Sequence, residues 1–124
     1  MLDTSIIVDI FIGEQEIIEK TSRLRELYIP SIVLGELYVG VNRAANKTKH
    51  LKKLNEFLES CKIVDVNRET AEYYGSIMAD LYKKGKPIPT NDVWIAAVAQ
   101  QHNCIVVTRD KHFKEIKDIK LKHW

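Results

Sequence analysis

Apolar positions recur along this chain with two different periods, and the switches between them divide it into helices and short strands. Met1 to Asp3 reads as the end of a strand, after which Thr4 or Ser5 is placed to cap a helix running to about Ile12 and stopped by Gly13. Ile17, Ile18, Thr21, Leu24 and Leu27 stand at helical spacing, so a helix over Glu14 to Leu27 is expected, followed by a brief strand from Tyr28 to Pro30. Ser31 is the expected cap of a helix to about Ala44, with Leu34, Leu37 and Val41 on one face. That helix also holds Gly35 and Gly40, each costing about 1 kcal/mol relative to alanine, which close backbone packing would justify. Lys47 to Ser60 sets Leu51, Leu54, Phe57 and Leu58 against Lys49, Lys52, Lys53 and Glu56, an amphipathic helix that gives way to a strand from Lys62 to Val66. Asn67 caps a further helix from Arg68 to Lys84, with Gly85 where a C-terminal glycine belongs. After the stiff loop of Pro87 and Pro89, Thr90 opens a helix through His102, Cys104 to Thr108 forms a buried strand, Lys111 to Ile116 a helical turn, and Ile119 to His123 a last strand.

Strands alternating with helices in this order imply parallel β-α-β units, whose right-handed crossovers place helices on both faces of one sheet. The fold class is α/β, and 124 residues suit a single domain over 1–124. In such sheets ligands bind outside the carboxyl ends of the strands, where Asp3 and Asp110 both fall. Asp92 lies in the first turn of its helix, where the macrodipole favours a carboxylate, and Glu36 lies about one and a half turns into the helix that follows a strand. Taken singly, each acid has an ordinary reading: Asp92 as a cap, Glu36 as a solvent-facing helix residue, Asp110 as a turn residue. Their joint placement around one crevice is what changes the reading.

Composition narrows the class. With 45% hydrophobic and 29% charged residues the chain is neither disordered nor fibrous. Cys61 and Cys104 sit far apart in apolar contexts, which suits free thiols in a reducing, cytoplasmic compartment, and no signal peptide or membrane span is expected. The net charge is only +2, but with four acids gathered in a metal-filled pocket the rest would carry 19 basic against 13 acidic residues, or +6, a balance suited to a polyanion. Arg43, Lys84, Lys86, Arg109, Lys111 and His112 lie near the predicted pocket edges, with Arg43, Lys86, Arg109 and Lys111 the candidates for gripping the phosphates of a polyanion. The histidines His50, His102, His112 and His123 have no zinc-site spacing and are expected on the surface; Trp94 is expected in the core.

Two carboxylates about 5 Å apart repel by about 3 kcal/mol at an effective dielectric near 20, so four cannot all stay ionised unaided. Either some hold protons or a divalent cation neutralises them, and a hard oxygen set is what Mg²⁺ and Mn²⁺ prefer.

The segments Leu2-Asp3-Thr4-Ser5, Gly35 to Gly40, Asn91 to Ala97 and Thr108 to Phe113, following one another in that order, resemble the PIN domain family over nearly the whole chain, and within it the VapC class of toxins from type II toxin-antitoxin pairs. The resemblance implies an α/β/α sandwich on a central parallel sheet. It also implies a Mg²⁺- or Mn²⁺-dependent endoribonuclease, a homodimer and a cognate antitoxin. Carried over by position, the catalytic and metal-binding acids are Asp3, Glu36, Asp92 and Asp110, with Thr108, Ser5 and Asn91 as supporting polar neighbours. The expected chemistry is hydrolysis to 5′-phosphate and 3′-hydroxyl ends, with Asp3 and Asp92 the main holders of one ion, Glu36 orienting water and Asp110 nearer a second ion. Two departures stand out: only two residues precede Asp3, against a longer opening strand in the family, and Gly35 stands where a polar residue is common. Exposed Tyr38, Val39 and Val41 offer a surface for an antitoxin helix. The competing readings are a catalytically weak RNA- or protein-binding module, an RNA-processing nuclease outside a toxin-antitoxin pair, and a phosphoacceptor or phosphatase domain. The last is disfavoured because Asp3-Thr4-Ser5 lacks a second aspartate two positions on.

Overall fold

Hydrogen bonding of the first three residues decides how the sheet is assembled. In the computed structural model, which describes residues 1–124, β1 (Leu27–Pro30) pairs in parallel with β2 (Cys61–Val64), and β3 (Ile105–Thr108) with β4 (Lys120–His123). The opening residues lie between these ladders. Leu2 bridges Val107 in parallel, with Asp3 N–H donating to the Val107 carbonyl at 3.0 Å and Val107 N–H to the Met1 carbonyl at 2.8 Å. On the other side Leu2 N–H donates to the Tyr28 carbonyl at 2.9 Å. A full parallel pairing there would return a bond from residue 30 to the Leu2 carbonyl, and Pro30 has no N–H to give. The predicted first strand is therefore a single bridge between two short ladders, in the order β2, β1, opening residues, β3, β4.

That order reverses direction at the opening residues. The chain first steps outward to β1 and β2, then crosses back to β3 and β4, so right-handed crossovers place the connecting helices on opposite faces. The result is the expected α/β/α sandwich, with its topological switch point between the opening residues and β3.

Six helices surround the sheet: α1 (Thr4–Phe11), α2 (Gln15–Ser22), α3 (Ser31–Arg43), α4 (Lys47–Leu58), α5 (Arg68–Lys84) and α6 (Thr90–Gln101), with a 3₁₀ turn at Lys111–Glu115. Several boundaries differ from the sequence reading. The second helix stops at Ser22 rather than Leu27, with the Ser22 hydroxyl bonded back to the Glu19 carbonyl, and Leu27 becomes the first residue of β1. Asp3, not Thr4 or Ser5, caps α1, and α3 follows Pro30 without a side-chain cap from Ser31. β2 starts one residue earlier than expected and ends at Val64. Gly85 closes α5 in the left-handed region at φ 65°, as its position foretold, but a Cβ at Gly35 or Gly40 would meet nothing within 4 Å, so close packing does not account for those glycines.

The core is densest around α6, where Val93, Ile95, Ala96, Ala97, Val98 and Ala99 are all fully buried, the small alanines letting neighbouring elements approach closely. Leu2, Ile6, Ile7, Ile29, Val106 and Phe113 complete it from the sheet, α1 and the 3₁₀ turn. Trp94 is only partly buried and stacks on Tyr74 with ring centroids 4.0 Å apart. Val41, expected on the surface, is buried, whereas Tyr38 and Val39 are exposed.

Candidate active site

Four acids from four parts of the chain gather at the carboxyl ends of the strands, three of them held by hydrogen bonds that in part come from distant segments. Asp3 ends the opening segment: its Oδ1 accepts the Thr4 N–H at 2.8 Å as the cap of α1, and its Oδ2 accepts the Thr108 hydroxyl at 2.7 Å and the Ser5 hydroxyl at 3.3 Å. Thr108, fully buried at the end of β3, also accepts the Asp110 N–H at 2.9 Å, so one hydroxyl fixes two acids. Glu36 on α3 is held at both oxygens, by the Thr4 hydroxyl and by the Asn91 amide at 2.9 Å. Thr108, Ser5 and Asn91 thus stand beside the acids where the sequence placed them.

Asp92 differs from the other three. It is 8% exposed, and its Oδ2 is buried without a hydrogen-bond partner. Burial, then the charges of Asp110 and Asp3 with a further push from Glu36, raise its carboxyl from 3.8 to about 7, against the opposing influence of His112. Its position in the first turn of α6 does not offset this. Burial also raises Asp3, although the bonds from Thr108, Thr4 and Ser5 favour its ionised form.

Asp110 caps the 3₁₀ turn, its Oδ1 accepting the His112 N–H at 2.9 Å, and the same oxygen lies 2.8 Å from His112 Nδ1. That imidazole nitrogen is 3.7 Å from Asp92 Oδ2. One ligand atom each from Asp92, Asp110 and His112 therefore falls within 4.8 Å of the others. Asp3 and Glu36 lie outside this group of three possible ligands. His112 was legible only as one of several basic residues near the crevice.

The donor set fits a divalent cation: a buried carboxylate oxygen lacks any partner, other hard oxygens surround it, and the repulsion that lifts Asp92 is what a cation would relieve. The basic candidates divide. Arg43, Lys86 and Lys111 are exposed, whereas Arg109 is engaged elsewhere, its guanidinium 2.8 Å from Asp9 and its backbone N–H on Ser5 Oγ. Beside the acids, a groove of about 360 Å³ runs between α1, α3 and α4, with Thr4 and Glu36 at one end, Phe11, Ile12 and Val41 in its walls, and Lys49 and Lys53 on its rim.

Comparison with known proteins places this arrangement. The PIN domain profile matches residues 1–119. Ribonuclease VapC2 of Rickettsia felis is 35% identical, the alignment covering 100% of this chain and 96% of that protein. The crystal structure of VapBC2 from Rickettsia felis, bound to a DNA fragment from the promoter, superposes with a TM-score of 0.93 at 34% identity, covering 100% of this chain and 97% of that one. VapBC-5 from Mycobacterium tuberculosis, a member of the VapBC family of toxin-antitoxin systems, gives a TM-score of 0.80 at 26% identity, covering 99% and 96%. This chain belongs to the PIN domain family and, within it, to the VapC class.

Proposed function

We propose that this protein is a divalent-metal-dependent endoribonuclease, the toxin of a type II toxin-antitoxin pair, acting in the cytoplasm as a homodimer on RNA. The observation that carries the catalytic reading is the convergence of Asp3, Glu36, Asp92 and Asp110, with one buried Asp92 oxygen left unbonded. The relationship to a protein named ribonuclease VapC2 supports the activity, and the relationship to VapBC assemblies supports an antitoxin partner.

Asp92 and Asp110, with Asp3 and Glu36 around them, would hold Mg²⁺ or Mn²⁺. When bound, the cation supplies the positive charge that lets a phosphodiester enter an acidic pocket and favours ionisation of water near neutral pH. The remaining work falls to this chain's residues. Glu36, clamped by Thr4 and Asn91, has a fixed carboxylate to orient a water for in-line attack on phosphorus. Asp3 and Asp110, tied to one Thr108 hydroxyl, keep their spacing as the substrate enters. Water as the nucleophile leaves a 5′-phosphate and a 3′-hydroxyl, and the ribose 2′-hydroxyl takes no part. The groove ending at Glu36, with exposed Val8, Ile12, Tyr38 and Val39 in and around it, is the antitoxin surface in this reading.

The test is cleavage of total RNA with end mapping. Cleavage should stop in excess EDTA, return with Mn²⁺ or Mg²⁺, and yield 5′-phosphate ends. Asp3→Asn should cut the rate by at least about 100-fold, typical of losing a group that holds a reacting centre, while retaining the fold. Cleavage that persists in EDTA, or 2′,3′-cyclic phosphate ends, would overturn the reading; a folded protein that cleaves no RNA under any metal would favour the binding-module alternative.

A further inference from the structure

Resting on the metal-dependent reading above, we infer that His112 supplies an imidazole nitrogen to the cation site, completing a carboxylate-carboxylate-imidazole set with Asp92 and Asp110 and giving the site a preference for Mn²⁺ over Mg²⁺. The geometry is the first support. His112 Nδ1 lies 2.8 Å from Asp110 Oδ1 and 3.7 Å from Asp92 Oδ2. Neighbouring ligands on one octahedral ion with bonds of about 2.1 Å stand about 3 Å apart, so the two separations bracket what a shared ion requires.

The second support is independent of the histidine. Asp92 Oδ2 is the buried side-chain oxygen without a hydrogen-bond partner, and the residue is only 8% exposed. A buried acceptor left without a donor needs a reason, and a ligand in front of it is one. The other two acids are differently placed: both oxygens of Glu36 and both of Asp3 already accept hydrogen bonds. The free valence of the cluster therefore points at the corner where His112 stands.

The backbone holds the ring in that corner. Asp110 caps the 3₁₀ turn by accepting the His112 N–H, so the carboxylate and the imidazole two residues on leave the turn on the same side. Phe113, fully buried, anchors the turn from beneath. The side chain of His112 is 53% exposed, so the ring edge opposite Nδ1 needs no partner from the fold. An imidazole ligates a cation through an unprotonated nitrogen, so Nδ1 would hold the ion by its lone pair, with any proton there released to solvent.

The chemical consequence is selectivity. An all-oxygen pocket suits Mg²⁺, whereas an imidazole donor shifts preference toward transition ions, and Mn²⁺ accepts both donor types. The experiment uses purified full-length protein, Mn²⁺ as the probe and pulsed electron paramagnetic resonance to detect directly bound ¹⁴N, with Mn²⁺ and Mg²⁺ affinities measured by calorimetry. Expected is a ¹⁴N coupling in the wild type that disappears in His112→Gln, with Mn²⁺ affinity falling by at least about tenfold and Mg²⁺ affinity changing less than about twofold. A Mn²⁺ complex with no coordinated nitrogen overturns the inference, as does an equal loss for both ions, which would make His112 a positioning residue for Asp110. Asp92→Asn separates the two levels. Mn²⁺ binding that ignores Asp92 defeats the metal-site reading itself, whereas Mn²⁺ held through Asp92 in an all-oxygen shell defeats only the role given to His112.

Discussion

Thr108 uses its single hydroxyl on two acids at once, donating to Asp3 and accepting from the Asp110 backbone, from a position with no solvent exposure. Valine has nearly the same shape, so Thr108→Val should keep the strand while leaving a buried carboxylate oxygen and an N–H short of a partner, at a cost of about 1–3 kcal/mol. Losing a bond that favours ionised Asp3 should also slow cleavage, and Thr108→Ser should recover most of it; a valine variant with wild-type rate would show that this hydroxyl does not set the geometry. Asp92 gives the residue scale its pH dependence. Its carboxyl titrates at about 7 in the fold against an ordinary 3.8, so the folded state holds the proton more tightly. That contribution is fully present below about pH 4 and is lost as pH rises through 7. In urea melts without metal, Asp92→Asn should match the wild type near pH 4 and exceed it at pH 8. Saturating Mn²⁺ at pH 8 should stabilise the wild type but not the variant. The four acids were legible through their joint spacing along the chain, each having an ordinary reading when taken singly. His112 was not, because its approach to Asp92 depends on a 3₁₀ turn whose direction no spacing rule announces. Arg109 was read as one candidate for gripping phosphates; its guanidinium pairs with Asp9, 100 positions away, and no local pattern encodes that pairing.

Elements with strong end signals came out of the sequence nearly intact: α5 begins after Asn67 and ends before Gly85 because a capping box and a left-handed glycine fix both ends. Elements without them did not. Periodicity alone carried the second helix on to Leu27, although the chain has to leave the helix to feed β1. The opening strand is reduced to one bridge with β3, and on its β1 side Pro30 has no N–H to return the hydrogen bond that Leu2 gives Tyr28. The groove between α1, α3 and α4 was only half foreseen: Tyr38 and Val39 face solvent as expected, but the groove also takes in α1, and Val41 forms part of its wall rather than the surface. Gly40 lines it, where any side chain would narrow the space. If this groove seats the antitoxin, Ile12→Glu at a residue 68% exposed should leave RNA cleavage within about twofold and the fold unchanged, because the site acids are untouched. Co-purification with a co-expressed cognate antitoxin should be lost. Retained capture with an undisturbed complex would move the antitoxin surface elsewhere.

At the scale of the whole molecule the question is how an acidic pocket attracts a polyanion when the net charge is only +2. The balance outside the four acids, 19 basic against 13 acidic residues, supplies attraction, but charge already committed to an ion pair contributes little to it. Arg109 is committed to Asp9, Lys62 to Glu26, Lys84 to Asp80 and Lys20 to Glu16, whereas Arg43, Lys86 and Lys111 take part in none of the ion pairs. If Arg43, Lys86 and Lys111 meet the RNA backbone, single-stranded RNA should release counterions from about three phosphates, giving a slope of about −2 for log kcat/KM against log salt. The effect belongs in KM, because Asp3 and Asp92 are buried and Glu36 and Asp110 partly so, which limits screening by bulk salt, and kcat should change less than about twofold over the same range. Replacing Lys86 and Lys111 together by glutamine should make that slope shallower by about 1.4, since each phosphate contact contributes about 0.7, while Arg109→Gln should leave the slope alone and instead free the Asp9 carboxylate beside α1. A slope near zero in the wild type would mean that RNA is held by base contacts rather than by its backbone. A slope that responds to Arg109→Gln as strongly as to the lysine pair would mean that the Asp9 ion pair opens when RNA binds.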